Sequence, residues 1–141
     1  MQQVHNHEDL VVWQRGMDLV VAVYTITKQF PNEERFGLTN QIRRAVASVP
    51  ANIAEGHGRF SRPDYLRFLA IARGSLMEVR TFLRIAERLH FIEVEQLNPV
   101  FLLADDTGRL LNGLIHSLRG SEVREEIEPY NVDDQLLDHE L

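Results

Sequence analysis

The run "RRAVASVPANIAEGHGRF", Arg43 to Phe60, decides how this chain folds. Around it Ile42, Ala45, Val46, Val49 and Ile53 recur in helical steps, which predicts one apolar helix face. Yet Pro50 stands in the middle, and Glu55, Gly56, His57 and Gly58 crowd the end. An acid–base loop, a phosphate cradle and a kinked helix are the competing readings. The glycines do not form G-x-G-x-x-G and no strand precedes them, so a nucleotide-binding turn has no support. Proline lacks the N–H that would bond to the Val46 carbonyl, and its ring crowds that carbonyl, at a cost on the order of 3 kcal/mol unless compensated. Ala47, Ser48, Ala51 and Ala54 are small enough for a kink and for close approach of another helix, and the Ser48 hydroxyl can serve a strained carbonyl. The expectation is a kinked helix from Leu38 or Thr39 that closes at the Gly56/Gly58 pair, where glycine supplies positive φ. Asn52 and Glu55, one helical step apart, are expected as polar pins in its packing rather than as catalysts.

Outward from this helix, three more emerge. Leu10, Trp13, Met17, Val20, Tyr24 and Thr27 alternate in steps of three and four, the spacing of a bundle seam, until Phe30-Pro31 ends the run. Downstream, Ser61-Arg62-Pro63-Asp64 reads as a capping box with an early proline. It opens a helix carrying Leu69, Ala72, Leu76, Val79, Leu83 and Ala86 to about His90. A fourth begins at Val94–Pro99, carries Leu97, Phe101, Ala104, Gly108, Leu111, Ile115 and Leu118, and is expected to stop at Gly120. The fold class is therefore all-α, an antiparallel up-down four-helix bundle over residues 8–120. Residues 1–7 are expected to be a flexible N-terminus and residues 121–141 an acidic, mobile tail, with Leu136-Leu137 as its one apolar dock.

At 141 residues with 44% apolar and 26% charged side chains, the chain suits one globular domain. It has no cysteine, which removes disulfides, thiolate metal sites and cysteine nucleophiles together. The N-terminus lacks the basic-then-apolar layout of a signal peptide, and no apolar run approaches a membrane span, so a cytoplasmic location and no membrane partner are expected. The net charge of −6 hides a segregation. Residues 121–141 hold eight acids against Arg124 alone, whereas residues 35–88 hold ten arginines against Glu55, Asp64, Glu78 and Glu87.

Catalytic readings are weak. A di-iron carboxylate bundle needs two Glu-x-x-His pairs, and Glu87-Arg88-Leu89-His90 supplies one, at a helix end. His5-x-His7 sits on a terminus, Ser48 and Ser75 lie inside helices without a nucleophile elbow, and Asn52, Glu55 and His57 suit structural hydrogen bonding better than acid–base work. No enzyme activity, metal or cofactor is expected. The arginines carry more signal. Arg73, Arg80, Arg84 and Arg88 share one stripe of the third helix, Arg43 and Arg44 lie on the second, and Arg59 and Arg62 bracket the turn between them. All basic residues but Lys28 are arginine, whose planar fork suits phosphate. These eight are the candidate contacts for RNA or DNA. The alternative is a protein-interaction scaffold with the arginines in subunit interfaces. The acidic tail is a candidate internal competitor for the basic face.

The segments "LVVWQRGMDLVVAVYTITKQFP", "FGLTNQIRRAVASVPANIAEGHGR" and "YLRFLAIARGSLMEVRTFLRIAERL" resemble the four-helix bundle family encoded in intervening sequences of bacterial 23S ribosomal RNA genes. The resemblance spans about residues 8–118; its most specific runs are Gln41–Gly56 and Arg67–Leu76. It implies a protomer similar to the accessory protein of diversity-generating retroelements, assembled as a homo-oligomeric, pentameric barrel. That accessory protein works with a reverse transcriptase and binds nucleic acid through basic surfaces, so ribonucleoprotein partners are implied as well. Arg43, Arg44, Arg73, Arg80 and Arg84 lie within the matching segments.

Overall fold

Capping chemistry sets both ends of the third helix. In the computed structural model, which describes residues 6–126, α1 spans Val11–Thr27, α2 Leu38–His57, α3 Arg62–Arg88 and α4 Val94–Glu126. The Ser61 hydroxyl accepts from the Asp64 N–H at 3.2 Å and Pro63 occupies the first turn, which opens α3 as its sequence predicts. α3 closes on a Schellman motif: the Phe91 N–H donates to the Ala86 carbonyl and the His90 N–H to that of Glu87. The left-handed position of that motif is taken by His90, at φ 59°, rather than by glycine. Phe91 then packs on Phe30, ring centres 5.8 Å apart, and ties the α3–α4 connection to the end of α1.

Three boundary expectations are corrected. α2 closes at His57 with Gly58 at φ −79°, so neither glycine adopts the left-handed conformation. Gly56 is instead a close-approach residue: an added Cβ would lie 2.9 Å from the Phe68 Cβ of α3. α4 does not stop at Gly120 but continues to Glu126, since a lone glycine weakens a helix without ending it. Asn6 caps a 3-10 turn over His7–Asp9, so the flexible stretch expected over residues 1–7 does not include its last two. His5 and the dock expected at Leu136-Leu137 lie outside the described residues, as does the acidic tail beyond Glu126.

The core is built by residues at helical spacing on all four elements. Ile42, Val46, Val49 and Ile53 of α2 and Leu69, Ala72, Leu76, Val79, Leu83 and Ala86 of α3 are fully buried, facing Leu97, Ala104 and Leu111 of α4. α1 departs from expectation. Its buried side is Val12, Gly16, Leu19, Val23, Ile26 and Thr27, whereas Met17 and Tyr24 of the expected seam are exposed. Each helix packs against its two chain neighbours, with α4 returning to α1. Gly16–Pro50 with Thr27–Arg43, Ser48–Ser75 with Gly56–Phe68, and Arg73–Asn112 with Arg80–Asp105 each run in opposite register along successive helices, which makes the bundle antiparallel.

α2 continues unbroken through Pro50, which is buried against α1. A Cβ built at Gly16 would meet Pro50 at 3.5–3.7 Å, ordinary van der Waals contact, so α1 and the proline pack closely at Gly16 without the glycine being required. Beside it, the Asn52 amide donates at 2.8 Å to both the carbonyl and the hydroxyl of Ser48, and that hydroxyl bonds to Ser75 of α3 at 2.8 Å. Asn52 therefore acts through Ser48 as a pin between α2 and α3. The Ser48 hydroxyl serves this cross-helix bond rather than a carbonyl freed by Pro50.

Candidate nucleic-acid interface

The arginine stripe of α3 does not face open solvent as a unit. It runs along the α3–α4 seam, where α4 presents its own polar residues. Arg73 donates from Nε to the Asn112 amide oxygen at 3.2 Å. Arg80 forms an ion pair with Asp105. Arg84 places its guanidinium 4.0 Å above the Phe101 ring, with Arg80 over the same ring at 5.6 Å. Arg84 also reaches Glu87 at 3.2 Å. Two guanidinium groups thus roof an aromatic side chain of the core. Arg88, at the end of the stripe, is exposed and makes no ion pair among the described residues.

On α2 the two adjacent arginines part ways. Arg43 turns to α1, donating to the Thr27 hydroxyl at 2.9 Å and the Tyr24 carbonyl at 3.3 Å, with its guanidinium over the Tyr24 ring. A cation bonded to a last-turn carbonyl of α1 complements that helix terminus. Arg44 points outward into a shallow groove of about 380 Å³ between α2 and α3, shared with Glu78 and Phe82.

The α2–α3 turn gathers the remaining candidates. Arg59 pairs with Glu55 one turn back and lies 4.7 Å over Phe68, whose ring also receives Arg67 at 4.5 Å. Arg67 in turn reaches Asp64 at 3.6 Å, and Arg62 is half-buried at the start of α3. Glu55 is exposed and tied to Arg59, so its expected part as a packing pin is corrected: its position on α2 faces solvent instead of a neighbouring helix. His57 meets Tyr65 edge-on at 5.9 Å and makes no cluster with Glu55. Burial of the Tyr65 phenol raises its pKa above the ordinary 10.0. Glu87 and His90 are likewise separated in role, one paired with Arg84 and the other forming the α3 stop.

Two exposed phenylalanines escaped the sequence reading, Phe36 in the α1–α2 connection and Phe60 in the α2–α3 turn. Each directly follows an arginine in a polar stretch, the signal that would have found them. Asp105 and Asp106 were missed as well; Asp106 receives Arg15 of α1 at 2.9 Å. Adjacent acids on the outer side of α4 are the sequence sign of partners for flanking arginines.

Comparisons with known proteins place this arrangement. The sequence model of a family described as 23S rRNA-intervening sequence protein matches residues 8–113. A crystal structure at 1.70 Å of a protein of unknown function from the S23 ribosomal protein family of Bacteroides thetaiotaomicron is similar, with a TM-score of 0.69 and 28% identity. The likeness covers 74% of this chain and 95% of that one. No curated protein matches. No helix among the described residues is long and apolar enough to cross a membrane.

Proposed function

We propose that this chain, which belongs to the 23S rRNA-intervening sequence protein family, is a non-enzymatic, self-associating bundle that holds RNA or DNA by its phosphates. The supporting observation is the positive charge that the helix seams leave over. Arg44 on the α2–α3 groove and Arg88 at the end of α3 are exposed without a carboxylate partner among the described residues, and Arg59, Arg62 and Arg67 gather at the α2–α3 turn. Arg43, Arg73, Arg80 and Arg84 contribute background positive charge while serving the fold. Guanidinium forks on phosphate oxygens give affinity that falls steeply with salt and little sequence preference.

Self-association draws on a different surface. The stripe Met17, Val21 and Tyr24 on α1 is apolar and faces outward, with Val21 64% exposed. A second copy covering this stripe accounts for an α1 that is apolar on two sides. A pentamer is the number the family resemblance favours. If that contact is the whole role, the protein is an interaction scaffold and nucleic acid is irrelevant to it.

RNA affinity at two salt concentrations, with solution mass measured on the same sample, tests the reading. Arg44→Ala with Arg88→Ala is expected to weaken RNA binding and flatten the salt dependence with the mass unchanged. Loss of residues 127–141 is expected to tighten binding at fixed salt by removing a competing polyanion. Salt-independent binding, or none at low salt with that segment removed, refutes the phosphate reading and leaves the scaffold.

A further inference from the structure

Phe60 is fully exposed, more so than any other large apolar side chain among the described residues. Phe36, next in exposure, has the Arg35 guanidinium over its ring at 4.8 Å. Phe60 has neither a cation nor a second ring over it among the described residues. The ring stands at the rim of a shallow, open recess of about 480 Å³, wide enough for a flat ring to lie on its floor. Ala51, Ala54 and Gly58 line that recess, with His7 and the Glu55–Arg59 pair at its sides.

We infer that this recess takes an unpaired nucleobase, so that the protein selects single-stranded nucleic acid; the inference rests on the phosphate-binding reading above. A base stacks on the free face of Phe60, over a floor made smooth by two alanines and a glycine. Its flanking phosphates fall to Arg59 and Arg62, the residues on either side of the turn. The Glu55 carboxylate turns phosphate away from the recess itself and offers an acceptor to an exocyclic amine of the base. An aromatic platform beside arginines is how single strands are held without sequence readout. Paired bases inside a duplex cannot reach such a platform, because their faces are already stacked.

The test uses the full-length protein and a labelled single strand of about ten nucleotides, compared with a duplex of the same sequence. The strand is expected to bind more tightly than the duplex. Phe60→Ala and Phe60→Leu should each weaken strand binding about tenfold, while Phe60→Trp keeps it. Because Phe60 lies exposed in a turn, these variants are expected to fold as the parent does, which circular dichroism checks. Trp13, the single tryptophan, packs edge-on to His7 at 5.3 Å, so its emission should change on strand binding and not in the Phe60→Ala protein. Equal affinity for strand and duplex, insensitive to Phe60, overturns this inference and leaves charge-based binding standing. Full retention by Phe60→Leu, or a change in solution mass on Phe60→Ala, overturns it in favour of an apolar contact with a second copy. Failure of both strand and duplex to bind at low salt removes this inference and the phosphate reading together.

Discussion

Gly56→Ala is the sharpest test of how α2 and α3 meet. Inside a helix, alanine for glycine is worth about 0.5–1 kcal/mol in favour of the folded state. At this position the new Cβ would lie 2.9 Å from the Phe68 Cβ, 3.0 Å from Tyr65 Cδ1 and 3.2 Å from the Tyr65 carbonyl oxygen. Neither a Cβ nor a carbonyl can swing aside, so α3 must shift as a body. Overpacking of that kind costs about 1–3 kcal/mol. The difference is a net destabilisation of about 1 kcal/mol, or about 3–5 °C in Tm for a domain of this size. Urea unfolding followed by circular dichroism measures it, at one fixed protein concentration because self-association shifts apparent stability. A Gly56→Ala protein as stable as the parent, or more so, refutes the close approach.

Further expectations follow from the same contacts. Gly74→Ala and Gly113→Ala, where an added Cβ meets nothing within 4 Å, should each stabilise by about 0.5–1 kcal/mol in the same urea experiment. A double-mutant cycle on Arg80 and Asp105 should give a coupling of about 0.5–1 kcal/mol, the size for a partly exposed pair, and no coupling would place the two side chains apart. Tyr65 is neutral in the fold to a higher pH than in the unfolded chain, so its contribution is intact below pH 10.0 and is lost as pH climbs through its raised folded value. Tyr65→Phe should remove that part of the alkaline loss of stability, and phenolate absorbance should show one tyrosine ionising late.

How much was legible beforehand differs from helix to helix. α2 and α3 each carry one apolar stripe bordered by charge, so spacing alone assigned their buried faces. α1 has Val11, Val12, Leu19, Val20, Val21 and Val23 around nearly its whole circumference, and two stripes fit the same period. The stripe that turned inward is the one whose flanks meet partners far off in sequence, Gly16 on Pro50 and Arg15 on Asp106. The glycines at the end of α2 were recognisable as special, but a close approach and a left-handed turn leave the same mark in a sequence.

By itself the sequence determined four amphipathic helices, their order, the Ser61 cap of α3 and the segregation of arginine from acid, because these rest on local propensity and periodicity. The tertiary structure decided what each arginine does. A guanidinium reaches across a helix–helix seam, and whether it meets Asp105, Phe101 or water depends on the rotation and register of the opposing helix. Periodicity within one segment holds no information about that register. The stripe that reads as one phosphate-binding face is, in the folded chain, three ties to α4 and one free cation at Arg88 among the described residues.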